Sequence, residues 1–257
     1  YEAKGPLSKY FDKSYNDLYF DEKTWELAES KMITESVDLL LNKVNKTRFD
    51  IDVYISGDLL NQIVASNYAA VNLGIPYIGI YGACSTSVLG LIIASNMLDA
   101  NQVKSCITST SSHNNAAEKQ FRYPVEYGGP KPKTTTFTST GAASAYLSNS
   151  KCGIKVESAT LGTVLDSGIK DAYHMGGIMA KAAAKCLYDH LKDTKREVGY
   201  YDLILTGDLG VYGKEILKEY LKIEYNIVLQ NYEDTGVMLY DREKQPVYAG
   251  ASGPACA

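Results

Sequence analysis

The sequence predicts an α/β fold in which mostly parallel strands are covered by helices on their faces. Short apolar, β-rich runs alternate along the chain with longer segments of amphipathic helical pattern. One run, Asp52-Val-Tyr-Ile-Ser-Gly-Asp58, recurs as Asp202-Leu-Ile-Leu-Thr-Gly-Asp208, at an offset of 150 residues. Because strands that alternate with helices usually pair in parallel, this repeat predicts two related βα units in one chain.

The segments around the two runs resemble each other as well. A helical pattern precedes each run and another follows it, over residues 24–46 and 61–71 in the first copy and 177–191 and 213–221 in the second. Chance similarity between two buried strands is the alternative explanation. The shared flanks favour an internal duplication.

The duplication divides the chain into an N-terminal half, residues 1–151, and a C-terminal half, residues 152–257. We expect the halves to form one intertwined unit with two similar sheets. The chain has no initiator Met and stops after a glycine-rich turn at residues 250–253. Such a turn normally leads into another element, so we expect the sequence to be a piece of a longer protein.

A cysteine lies at the junction between a predicted strand and a predicted helix. The β-rich run 75–80 leads into a small-residue turn, which Cys84 follows, and the helical segment 84–98 is expected to be buried between the two sheets. Unsatisfied backbone amides and the helix dipole at this position favour a thiolate, and they also suit a bound anion. The alternative is a small buried residue at a tight turn.

Composition excludes several classes of protein. The 257 residues suffice for one large or two small domains, and 45% hydrophobic with 22% charged residues is typical of a soluble globular protein. A net charge of −4 without a basic stripe argues against nucleic-acid binding. No apolar run approaches the roughly 18 residues of a membrane span, and no signal peptide is visible. The five cysteines are scattered without metal-ligand spacing, which predicts free thiols, a reducing cytoplasm and no metal site.

Six segments of the chain carry a resemblance to one family: Gly5-Pro-Leu and residues 57–62, 81–87, 110–114, 118–129 and 202–208. They resemble the stage V sporulation protein AD family of spore-forming bacteria, within the thiolase superfamily. The resemblance covers essentially the whole chain. It implies a thiolase-like fold with duplicated βα units in αβαβα layers. Relative to that family, the chain lacks an opening strand and everything after the turn at 250–253.

The resemblance also bears on catalysis. Active condensing enzymes of the superfamily pair their cysteine with a His and with a second His or an Asn from the other half. Here the turn that should carry the His contains Asp208, and Asp234 stands in place of the Asn. An ionised Asp neither donates a hydrogen bond to an oxyanion nor replaces imidazole. His113 lies in the wrong half. We therefore expect no enzyme activity and regard Cys84 as a vestigial catalytic residue, with a Cys84-dependent acyltransferase as the alternative.

The resemblance implies that the protein binds dipicolinate, alone or together with calcium, and needs no other cofactor. A flat aromatic dianion requires hydrogen-bond donors or cations at two edges and an aromatic wall. The candidate ligand-binding residues are Cys84, Ser85, His113, Asn114, Arg122, Tyr123, Asp208 and Asp234. Alternatives remain for three of them: Arg122 as a surface ion pair with Glu118, His113 as a loop residue, and Asp208 as a helix cap.

The resemblance further implies a role in sporulation and germination. Family members act with membrane proteins of the same operon in moving dipicolinate into the spore. This predicts synthesis in the cytoplasm and a peripheral location at the inner membrane of the forespore or spore, without a transmembrane segment. Thiolase folds usually dimerise, so we also expect a homodimer.

Overall fold

The computed structural model describes residues 2–121, 131–150 and 153–255. Its helices are α1 Trp25–Lys43, α2 Val64–Leu73, α3 Thr86–Asp99, α4 Asn114–Phe121, α5 Met175–Thr194, α6 Gly210–Tyr225 and α7 Thr235–Met238. Its strands are β1 Val53–Gly57, β2 Tyr77–Gly79, β3 Ser105–Ser112, β4 Phe137–Thr138, β5 Gly141–Ser148, β6 Ile204–Thr206, β7 Tyr232–Asp234 and β8 Ala251–Ser252.

The first half is built on a four-stranded mixed sheet in the order β2-β1-β3-β5. β1 pairs in parallel with β2 and with β3, and β3 pairs antiparallel with β5. Every residue of β1 and β3 is buried. β3 is rich in serine and threonine, and hydrogen bonds between hydroxyls make its burial possible: Ser109 donates to Ser56 at 2.8 Å and also bonds the hydroxyl of Tyr54.

Helices cover both faces of this sheet. α1 and α2 bury one face in an apolar core around Ile33, Tyr54 and Ile107. α3 covers the opposite face, where Ala94 and Leu98 pack against the inward side chains of β1 and β3. The expectation that α3 is buried between two sheets is only partly right. Its packed face lies on the first sheet, whereas Val88 on another face is 53% exposed.

The second half has a smaller sheet in which β6 pairs in parallel with β7. α5 and α6 pack on it, with Leu217 and Leu221 among the buried residues of their core. The two helices approach closely at Gly176 and Gly213, where a Cβ atom on Gly213 would lie 2.6 Å from the carbonyl oxygen of Gly176. Leu203 and Leu205, at the β6 segment, are about half exposed.

The repeated runs therefore form equivalent strands in separate sheets. β1 and β6 each follow a long helix, and each pairs in parallel with the next strand along the chain, β2 or β7. The first sheet thus lies between α1 and α2 on one face and α3 on the other, and the second sheet is packed against α5 and α6. None of the helices within residues 2–121, 131–150 and 153–255 is long and apolar enough to cross a membrane.

Near its C-terminus the chain contributes a strand that pairs with a strand of the first half. β8 pairs in parallel with β4, and the register joins Phe137 to Ala251. The amide of Ser139 donates to the carbonyl of Ser252 at 2.8 Å, and Ser112, at the end of β3, donates to the carbonyl of Ser139 at 2.7 Å. These contacts hold the glycine-rich turn against the end of β3, close to the residues that follow β6.

Candidate functional site

Cys84 lies immediately before α3, as the sequence predicts. Residues Ala83–Ser85 form a single helical turn, and Ala83 adopts a left-handed conformation with φ of 47°. The amide of Gly82 donates to the hydroxyl of Thr86 at 3.1 Å, and the Ser85 hydroxyl donates to the carbonyl of Gly82 at 2.7 Å. These local bonds fold the turn so that the partly buried cysteine lies at the N-terminal end of the helix.

The thiol of Cys84 faces a buried carboxylate from the other half of the chain. Asp208 follows β6, is 3% exposed, and has a left-handed φ of 47°. The thiol and this carboxylate lie close enough for each to shift the pKa of the other. The amide of Gly253, in the glycine-rich turn, donates to Oδ2 of the same group at 3.3 Å. The site thus joins three segments that are far apart in sequence.

This neighbourhood decides the protonation of the cysteine. Burial and the negative charge of Asp208 raise the pKa of the Cys84 thiol well above its usual value, against weaker stabilisation from backbone amides. Because these effects exceed that of the helix N-terminus, the expectation of a thiolate is wrong, and the thiol keeps its proton at neutral pH. Burial also raises the pKa of Asp208 to about 6, and the nearby Asp234 carboxylate adds to the shift.

Asp234 ends β7 and positions the turn that contains Asp208. Its Oδ2 accepts from the hydroxyl of Thr206 at 2.7 Å and from the amide of Leu209 at 3.1 Å, and its Oδ1 accepts from the amide of Gly210 at 2.9 Å. The carboxylate therefore caps α6 from a neighbouring strand. Its hydrogen-bonding capacity is largely used in holding this local structure.

All three histidines of the sequence have partners away from the cysteine. His113 is fully buried, where Nε2 bonds the carbonyl of Leu18 at 2.8 Å and Nδ1 accepts from the amide of Ala116. His174 caps α5, and His190 lies between the hydroxyls of two residues, Thr160 and Tyr201. The structure therefore offers Cys84 a carboxylate partner in place of an imidazole.

The other predicted contact residues lie in different surroundings. Asn114 begins α4 and is bound to the segment before β5, because its amide donates to the hydroxyl of Thr140 and its side chain to the carbonyl of Thr138. Ser85 is exposed beside Cys84. Arg122 and Tyr123 lie outside the described residues, so their predicted ligand contacts remain predictions.

Sequence reasoning missed the part played by Gly253. The glycine-rich turn was identified only as a place where the chain changes direction, yet its amide contacts Asp208 directly. The signal available was the tight spacing of Gly250 and Gly253, both of which have positive φ. In residues 2–121, 131–150 and 153–255, no group of three or more His, Cys, Asp or Glu side chains is placed to hold a metal ion.

Comparisons with known proteins agree with this geometry. A family model described as Stage V sporulation protein AD matches residues 1–257. A curated relative of the same description from Bacillus subtilis (strain 168) is 45% identical over 256 residues, which is 100% of this chain and 75% of the relative.

Solved structures with a similar fold are condensing enzymes. The 3-oxoacyl-(acyl-carrier-protein) synthase III from Aquifex aeolicus has a TM-score of 0.62 at 14% identity, over 92% of this chain and 74% of that one. A variant of OleA from Xanthomonas campestris bound with cerulenin has a TM-score of 0.61 at 15% identity, over 89% and 69% of the two chains. These similarities confirm the prediction of a thiolase-like fold and, at such low identity, indicate the fold alone.

Proposed function

Because the chain belongs to the stage V sporulation protein AD family, we propose that this sporulation protein is a non-catalytic, thiolase-fold binding protein for dipicolinic acid. In this proposal it supports uptake of dipicolinate into the developing spore, at the inner spore membrane. Its partners there are the membrane proteins of the same operon, and it acts as a homodimer. The resemblance to the family supports these partners and this location.

One observation carries the non-catalytic part of the proposal: Cys84 faces Asp208 and no imidazole contacts it. Acyl transfer needs a thiolate and a group that accepts and returns a proton near neutral pH. A carboxylate that raises the pKa of the thiol works against the first requirement. The three histidines are held elsewhere by their own hydrogen bonds.

The binding part rests on the N-terminal end of α3 at the same turn. The amides of Ser85 and Thr86 and the Ser85 hydroxyl are bonded to carbonyls of the preceding turn, so the helix contributes mainly its partial positive charge. This charge suits one carboxylate of a flat dicarboxylate. From the sequence, Arg122 supplies a planar cation for the second carboxylate and Tyr123 an aromatic surface. In this proposal His113 and Asn114 act through the backbone carbonyls they bind, those of Leu18 and Thr138.

Isothermal titration calorimetry with dipicolinate tests the binding part of the proposal. We expect saturable binding that weakens in Cys84→Trp, because the bulky indole would fill the space in front of the turn. The control is Cys186→Trp in the second half, on α5 and remote from this turn in the sequence. If the protein shows no binding at millimolar dipicolinate, the proposed ligand is wrong.

An acyltransferase that uses Cys84 is the second candidate, favoured by the position of the cysteine at a helix N-terminus in a fold shared with condensing enzymes. It predicts transfer or thiolysis of acyl-coenzyme A that disappears in Cys84→Ala. Turnover that depends on Cys84 would replace the binding proposal. Background rates in both the wild-type protein and Cys84→Ala would support the non-catalytic proposal.

A further inference from the structure

Asp208 occupies the position beside Cys84 where an anionic ligand would find its donors. Its carboxylate faces the thiol and accepts a hydrogen bond from the Gly253 amide at 3.3 Å. The group is 3% exposed, so water does little to screen its charge. In the absence of a ligand, the protein thus satisfies these donors with its own carboxylate.

We propose that Asp208 is an internal competitor for the anion site, so that a ligand carboxylate binds beside Cys84 only when Asp208 takes up a proton. This inference rests on the proposed function and specifies how that site is regulated. Two ionised carboxylates in one buried site repel each other strongly, and one of them is forced to hold a proton. The site then selects an anion together with a proton, and binding becomes weaker as the pH rises.

Comparison of the two repeat copies shows why Asp208 is available for this role. Asp58, at the same place in the first copy, is fully buried and caps the following helix: it accepts from the amides of Leu60 and Ser66 at 2.9 and 2.7 Å. In the second copy the amide of Gly210, which corresponds to that of Leu60, binds Asp234 instead, as does the amide of Leu209. With capping taken over by another residue, Asp208 is directed towards the thiol.

The charges around Asp208 favour proton uptake. In the part of the chain that the structure describes, it is faced by the Cys84 thiol, the Gly253 amide and the Asp234 carboxylate. None of these groups carries a positive charge, and Asp234 is ionisable and of like sign. Since burial already raises the pKa of Asp208 to about 6, a second carboxylate in the site would raise it further.

The test is calorimetric titration of dipicolinate between about pH 6 and pH 8, where the ligand is fully ionised, since ordinary carboxyl groups titrate near 4. We expect the affinity of the wild-type protein to fall about tenfold per pH unit above the pKa of Asp208. Titrations in two buffers of different ionisation enthalpy should show uptake of about one proton per ligand at the upper pH. This second measurement needs no variant.

Asp208→Asn should remove the pH dependence of the affinity and the proton uptake on binding. At pH 8 its affinity for dipicolinate should be at least about tenfold higher than that of wild type. Asp202→Asn, an exposed carboxylate of the same segment, is the matched control and should keep the wild-type pH dependence. Binding by wild type that is independent of pH, or a loss of affinity in Asp208→Asn, would overturn the inference and leave the proposed function intact. No binding by wild type at any pH would instead refute the proposed function and the inference with it.

Discussion

The thiol of Cys84 faces the carboxylate of Asp208, although the two residues come from different halves of the chain. The pairing keeps the thiol protonated, because the buried negative charge opposes formation of a second one. The same carboxylate accepts a hydrogen bond from the amide of Gly253. We therefore expect the pairing to suppress the nucleophilic reactivity of the cysteine.

The first prediction concerns this reactivity. At neutral pH, Cys84 should react with iodoacetamide more slowly than an exposed thiol, because alkylation requires the thiolate. Asp208→Asn removes the charge that raises the thiol pKa and should increase the rate by about tenfold for each unit by which that pKa falls. Peptide mass spectrometry measures each cysteine separately. The Asp202→Asn variant is the control, and an equal rate in all three proteins would show that Asp208 does not set the reactivity.

Arg122 supplies the second prediction, which comes from the sequence. A guanidinium that binds a ligand carboxylate in a bidentate manner contributes about 1.5–3 kcal/mol, so Arg122→Ala should weaken dipicolinate binding about tenfold or more. Lys133→Ala removes one positive charge from an exposed position of the same region and should have little effect. Calorimetry on both variants decides the matter. Equal losses of affinity in the two variants would indicate diffuse electrostatic attraction in place of a specific contact.

Asp234 is expected to be essential for the stability of the second half. Asp234→Ala leaves the hydroxyl of Thr206 and the amides of Leu209 and Gly210 without their acceptor, and we expect a loss of about 3 kcal/mol in the free energy of unfolding. The neighbouring Glu233→Gln removes only a half-exposed ion pair with Lys214 and should cost less than about 1 kcal/mol. Urea denaturation followed by circular dichroism compares the two, and similar midpoints would contradict the capping role.

Close packing of α5 against α6 gives a fourth prediction. A methyl group on Gly213 would meet the backbone of Gly176 at 2.6–2.8 Å, so Gly213→Ala should force the helices apart and cost about 1–3 kcal/mol. Gly199 has open space around its Cβ position, and Gly199→Ala should leave the melting temperature nearly unchanged. A Gly213→Ala protein that melts like wild type would show that the helices are less tightly packed.

Glu29 provides a prediction about pH. It is fully buried, Oε1 accepts from Ser111 at 2.7 Å, and Oε2 has no hydrogen-bond partner among the described residues. Burial, with a contribution from Asp58, raises the pKa of Glu29 to about 8 from an ordinary value of 4.5. The folded state therefore holds a proton that the unfolded chain releases, and this contribution to stability falls by about 1.4 kcal/mol per pH unit as the pH rises between those values.

Glu29→Gln should accordingly flatten this decline and raise the melting temperature at pH 8 relative to wild type. Glu26→Gln, on the same helix, alters a carboxylate that pairs with Lys119 at 3.0 Å and should not raise it. Differential scanning calorimetry across the pH range supplies the measurement. An unchanged decline in Glu29→Gln would mean that the buried carboxyl is already ionised in the folded protein.

Local patterns in the sequence were sufficient to predict the secondary structure around the site. The repeat at residues 52–58 and 202–208 predicts β1 and β6, because an apolar run closed by a hydroxyl residue, glycine and aspartate has a local physical meaning. The same holds for Cys84 at the start of α3, where turn and cap residues adjoin an amphipathic segment. The family resemblance added the thiolase-like arrangement of layers.

Only the tertiary structure decided which groups face each other. The helix N-terminus before α3 predicts a thiolate at Cys84, and the thiol is nevertheless protonated because Asp208 approaches from the other half. The two aspartates that end the repeats are equivalent in sequence, yet Asp58 caps its own helix and Asp208 does not. Desolvation and charge depend on every atom within a few ångströms, and those atoms come from segments that the sequence keeps far apart.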